Sequence, residues 1–116
     1  MQTDELLKIV LNTLDKKKGQ YITTINVIGK TSVTDYMVIV TGTSERHIKS
    51  MSDYVIENVK KQGFTPLGVE GEQGSDWVLV DLGDVILHLM TAQTREFYQL
   101  EKLWEVEHIG EVDQVV

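Results

Sequence analysis

The sequence predicts an α/β domain with a mixed sheet of about five strands flanked by helices. Three features carry that expectation. Apolar residues recur at helical spacing in Leu7, Val10, Leu11 and Leu14, and again in Ile48, Met51, Val55 and Val59. The run Met37-Val38-Ile39-Val40 is continuously apolar rather than alternating, as in a central strand covered on both faces. Its successor is a helix and then another strand, an order that needs a crossover and makes part of the sheet parallel. A chain of 116 residues supports one domain. Residues 1–104 read as that domain and 105–116 as an acidic tail.

In chain order, Thr3 is the expected N-cap of the first helix, with Asp4 and Glu5 loading its first turn. Lys16, Lys17 and Lys18 suit its carboxyl end, and Gly19 is expected to stop it in the left-handed conformation. Tyr21–Ile28 reads as a strand, Gly29–Ser32 as a turn and Asp35–Thr41 as a second strand. Thr41–Ser44 offers hydroxyls to cap a long helix from Glu45, which Gly63 closes and Pro66 prevents from continuing. Leu67–Glu70, Asp76–Leu82 and Val85–Met90 read as three short strands, the last two forming a hairpin across Gly83-Asp84. Thr91 can cap a final helix carrying Phe97, Leu100, Leu103 and Trp104.

Composition excludes several classes. The absence of cysteine rules out disulfides, thiolate zinc sites and a cysteine nucleophile. No apolar run reaches the ~20 residues of a membrane helix, and the first residues lack the basic-then-apolar order of a signal peptide, so a cytosolic location is expected. Acids outnumber bases 18 to 11, a net charge of −7, and residues 105–116 hold four acids without Lys or Arg. A protein that lives by gripping phosphate needs the opposite balance. No principal nucleic-acid contact is therefore expected, and an acidic body suits a basic protein partner.

The candidate chemical motifs are weak. Gly29-Lys30-Thr31 imitates the end of a phosphate-binding loop, but Thr24 stands where the leading glycine belongs and a strand follows where a helix is required. Among His47, His88 and His108 no pair has metal-ligand helical spacing, and His88 reads as a hydrogen-bonded histidine within the sheet. Asp76 and Asp81 are an odd number of residues apart on one strand and point to opposite faces, which argues against a shared metal. No cofactor is implied. Trp77, at a strand start, and Tyr98, on the last helix, can share one face, and amphipathic aromatics of this kind anchor interfaces.

Four segments in this order and spacing closely resemble the ribosomal silencing factor family, also called RsfS or Iojap-like. They are Val40–His47, Pro66–Gly71, Asp76–His88 and Tyr98–Trp104. The resemblance implies a nucleotidyltransferase-like fold and a binding protein rather than an enzyme. It implies docking on ribosomal protein L fourteen of the large ribosomal subunit. There the protein would block joining of the small subunit and repress translation under nutrient limitation. The implied docking positions are Trp77, Asp81, Leu82, Met90 and Tyr98. A homodimer of the free protein is compatible with the same face. The alternative is a metal-dependent nucleotidyltransferase-like enzyme, against which stands the lack of an acid pair one residue apart after Gly42-Thr43-Ser44.

Overall fold

The computed structural model describes residues 2–71 and 75–103. The elements are α1 (Thr3–Lys16), β1 (Gln20–Asn26), β2 (Tyr36–Gly42), α2 (Glu45–Lys61), β3 (Gly68–Glu70), β4 (Trp77–Asp81), β5 (Val85–Thr91) and α3 (Ala92–Tyr98). They form the expected mixed α/β fold. The sheet order is β1-β2-β5-β4-β3, with β2 and β5 parallel and every other pair antiparallel. The β4–β5 hairpin is present, with Trp77 opposite Met90 and Leu79 opposite His88. Both sheet edges are short or irregular, since β3 has three residues and the β1 register breaks between Gln20 and Thr23.

The period of two along each strand divides the sheet into two faces. Val38, Val40, Val78, Val80, Val85, Leu87 and Leu89 face α1 and α2 and build the main core with Leu6, Val10, Leu14, Ile48, Met51, Val55 and Val59. Ile39, Thr41, His88, Met90 and Trp77 alternate with those residues and point to the other face, where α3 lies. β2 is buried from Val38 to Gly42, as its continuous hydrophobicity requires.

The termini of the elements differ from the sequence expectation for identifiable reasons. Gln2, not Thr3, is the N-cap of α1; Thr3 is already helical, and its Oγ1 donates to Asp84 Oδ2 at 2.8 Å, tying the helix start to the β4–β5 turn. The buried stripe of α1 is Leu6, Val10, Thr13 and Leu14, with Leu7 and Leu11 only partly covered. Thr13 tolerates burial because its Oγ1 donates to the Ile9 carbonyl and accepts from Asn58 Nδ2 on α2. Lys18, with φ 64°, takes the left-handed position assigned to Gly19. Gly19 is required for space instead: a Cβ there would stand 2.6 Å from Val40 Cγ2 and 3.1 Å from the Leu14 carbonyl. At the end of α2 the expectation holds, with Gly63 at φ 89°. Ser44 caps the start of that helix, accepting from the His47 N–H at 3.0 Å.

The last helix is shorter than its apolar pattern suggests. α3 is capped by Thr91 and ends after Tyr98 because Gln99 turns left-handed at φ 49°; residues 100–103 are helical again. Phe97 is 79% exposed and Leu103 64% exposed, so neither belongs to a core stripe. Trp104 and the tail 105–116 lie outside the described residues.

A methyl group at residue 19 must push Val40, a fully buried residue of β2. Gly19→Ala is therefore expected to cost about 1–3 kcal/mol of stability, read by chemical denaturation, whereas a change within about 0.5 kcal/mol would show that the contact relaxes freely.

Candidate functional site

The site grows from the β4–β5 hairpin and from α3 lying against it. Trp77 begins β4 and is half-buried. Its indole N–H donates to His88 Nδ1 on β5 at 3.0 Å. The Tyr98 ring packs on Trp77 with centroids 4.8 Å apart and planes inclined by 50°. Phe97 then meets Tyr98 edge-on, at 4.9 Å and 82°. The result is a row of four rings, His88, Trp77, Tyr98 and Phe97, whose exposure rises from 6% at His88 to 52% at Tyr98 and 79% at Phe97. Tilted aromatic pairs of this kind are worth roughly 0.5–1.5 kcal/mol each beyond their buried area.

His88 is the inner end of the row. Because Nδ1 accepts from the indole, the ring is neutral and its proton is on Nε2. Burial disfavours the charged form and pushes the pKa down from 6.5 to about 4. The histidine within the sheet is thus a support that fixes the Trp77 ring.

Arg95 holds α3 in place and was not singled out by any motif. Its Nη1 donates to the Tyr21 carbonyl at 2.6 Å and to Thr41 Oγ1 at 3.0 Å. Nη2 donates to Thr23 Oγ1 at 2.8 Å, and Nε and Nη2 both reach Glu101 Oε2, at 3.0 and 2.6 Å. This guanidinium fork, 11% exposed, joins α3 to β1, β2 and the helical turn 100–103. Tyr21 adopts φ 49°, a costly backbone for an aromatic residue, at the point where its carbonyl meets Arg95. The available signal in the sequence was weak: Arg95 is one of two arginines in the chain.

The other positions implied by the resemblance divide sharply. Asp81 is partly exposed, and its Oδ1 accepts from the Gly83 N–H at 2.9 Å, which fixes the β4–β5 turn. Leu82 is fully buried in the core on the α1–α2 side, and Met90 is fully buried on the α3 side. Neither exposes apolar surface. The surface part of the set is Trp77, Asp81 and Tyr98, joined by Phe97.

Among the described residues no three His, Asp or Glu side chains gather as a metal site, and no helix is long and apolar enough to cross a membrane.

The family described as "Ribosomal silencing factor during starvation" matches residues 1–116. The chain is 48% identical over 99 residues to ribosomal silencing factor RsfS of Haemophilus influenzae, covering 85% of this chain and 97% of that protein. It is 31% identical over 113 residues to the Bacillus subtilis protein of the same name, covering 97% and 96%. A mouse protein named mitochondrial assembly of ribosomal large subunit protein 1 is 36% identical over 101 residues, 84% of this chain and 44% of its own. A crystal structure of a Chromobacterium violaceum protein superposes with a TM-score of 0.88 at 34% identity, covering 90% of this chain and 88% of that one.

The sign of the His88 shift makes a stability prediction. The unfolded chain takes up a proton at this position below about pH 6.5, and the folded one only below about 4. Stability is expected to fall as pH drops through that window, by up to about 3 kcal/mol from this group. Comparing urea unfolding of the wild type and His88→Gln at pH 7 and pH 4.5 cancels the carboxylates common to both. The difference between the two proteins should shrink toward low pH; a constant difference would mean that His88 takes up its proton as readily in the folded state as in the unfolded one.

Proposed function

This chain belongs to the ribosomal silencing factor family, and from that premise we propose that it silences translation by occupying the large ribosomal subunit. It docks on ribosomal protein L fourteen with the surface of Trp77, Asp81 and Tyr98 and stands where the small subunit must join. No catalysis is needed, because a folded domain on the joining face is an obstacle by volume alone. The location that follows is the cytoplasm, where subunits meet.

The observation that supports this reading is the graded aromatic row. Interfaces take most of their energy from a few large side chains held rigid before contact. Tyr98 and Phe97 are exposed, yet their rings pack against one another edge-on, Tyr98 packs on Trp77, and α3 beneath them is tied down by Arg95. Asp81 adds a fixed negative charge suited to a basic ribosomal protein. Leu82 and Met90 support the hairpin from within. In the free protein the same rings are uncovered, so pairing of two copies competes with docking for one surface.

Sedimentation with isolated subunits tests the reading. The protein should travel with large subunits and not with small ones; equal recovery with both would overturn it.

Tyr98→Ala isolates the anchor. Its ring is 52% exposed and outside the main core, so the protein should stay folded, with a melting temperature lowered by only the few degrees that the two lost ring pairs account for. Affinity for large subunits should drop by about 2 kcal/mol or more, near thirtyfold. Trp77→Ala is less clean, because it also strips His88 of its hydrogen-bond partner. Retained affinity in a folded Tyr98→Ala protein would move the docking surface elsewhere.

A further inference from the structure

A second surface lies at the same end of the sheet, on the α1–α2 face, and has the opposite character. The end of α1 and the start of α2 enclose an open groove lined by Lys17, Lys18, Arg46 and His47, with only serine, threonine and glutamine side chains besides. No carboxylate lines it, in a chain whose net charge is −7. The arrangement is rigid. His47 Nδ1 accepts from the Thr43 N–H at 2.9 Å, and Nε2 donates to the Lys17 carbonyl at 2.8 Å, so one imidazole locks the two helices together. Lys18 is left-handed at φ 64°, immediately before Gly19 packs on Val40. The His47 N–H of α2 is spent on the Ser44 Oγ cap, and the Thr43 N–H in the loop before it on His47. Recognition in this groove therefore falls to the cationic and hydroxyl side chains, not to the helix end.

We propose that this groove is a docking surface for the phosphate backbone of ribosomal RNA next to the protein site on the large subunit. The inference rests on the reading that the protein docks there. Its lining is the set of side chains that hold phosphates without reading bases: Lys and Arg with Ser, Thr and Gln. An acidic protein segment would ask for apolar anchors as well, and the lining has none. The groove and α3 lie at the same end of the sheet, on its two faces. Gln20 lines the groove and precedes Tyr21, whose carbonyl is held by Arg95 of α3. Gly42 and Thr91 are register partners, so the loop into α2 and the cap of α3 leave the sheet side by side. A surface that is part protein-binding and part phosphate-binding fits a partner made of protein and RNA. With few contacts, it is compatible with an acidic chain that binds mainly through protein.

The test is the double variant Lys18→Gln/Arg46→Gln. Lys17 is left intact because its Nζ sits 3.5 Å over the Tyr54 ring. Affinities for intact large subunits and for isolated ribosomal protein L fourteen are measured at about 50 and 200 mM salt, with melting temperatures as the control for folding. Removing two phosphate contacts should lower the salt slope by about two, so the wild type should lose about tenfold more affinity on subunits across that range than the variant. Binding to the isolated protein should be the same for both. Equal salt slopes on subunits would overturn the inference. So would a matching loss on the isolated protein, which would mark the groove as a protein contact. If the wild type binds subunits but not isolated protein L fourteen, the protein site is wrong while the slope comparison still decides the groove. If it binds no large subunit, both fall.

Discussion

The parallel pairing of β2 with β5 is the constraint on which the rest of the molecule depends. It runs through seven register partners, from Tyr36 and Val85 to Gly42 and Thr91, and it is buried along most of its length. Parallel neighbours cannot be joined by a tight turn, so the chain must leave β2, cross, and return before β5 is laid down. The crossing segment supplies α2, which covers one face, and then β3 and β4, which extend the sheet beyond β5. Because both parallel strands finish at the same end, the helices that follow them start together. Open α/β sheets place their binding surfaces at the carboxyl ends of parallel strands for this reason. Here that end carries the aromatic row on one face and the cationic groove on the other.

The two surfaces are made in different ways. The aromatic row is a gradient of burial, from a neutral histidine inside the sheet to a phenylalanine almost entirely in solvent. Each ring is positioned by the one before it, and Arg95 holds α3, which carries the outer two, against three other segments. The ordering cost of such a surface is met during folding, before any partner arrives. The groove owes its shape to backbone instead: a left-handed lysine, a glycine with no room for a methyl group, and a histidine bridging two helices.

Much of the fold was legible in the sequence because period and punctuation agree. The continuous apolar run gave β2, the Gly83-Asp84 turn gave the hairpin, and the Ile48, Met51, Val55, Val59 stripe is the buried face of α2. Helix ends were less legible, since Thr3 is tied to Asp84, 81 residues away, Gly19 is kept free of a side chain by Val40, and the left-handed turns fall on Lys18 and Gln99 rather than on glycine. That Trp77 and Tyr98 can share a face was readable from their places at a strand start and on the last helix, and their rings do meet. Strand alternation sets Leu82 on the opposite face from Trp77 and Asp81, within the core. The burial of Met90 was not legible, because it depends on where α3 comes to rest. Arg95 escaped notice for a related reason: its five contacts are with residues far away in sequence or beyond a helix break, and a lone arginine on a short helix looks like solvated surface.

The central claim is that a bound domain obstructs subunit joining by its bulk and that the aromatic row holds it there. Light scattering during mixing of large and small subunits measures that directly. Titrated with the wild-type protein, the joining amplitude should fall linearly and reach its floor at one protein per large subunit, and folded Tyr98→Ala should bend the titration and leave a substantial part of the amplitude at the same ratio. Inhibition complete at far less than one protein per subunit, or full inhibition by the variant, would contradict the account.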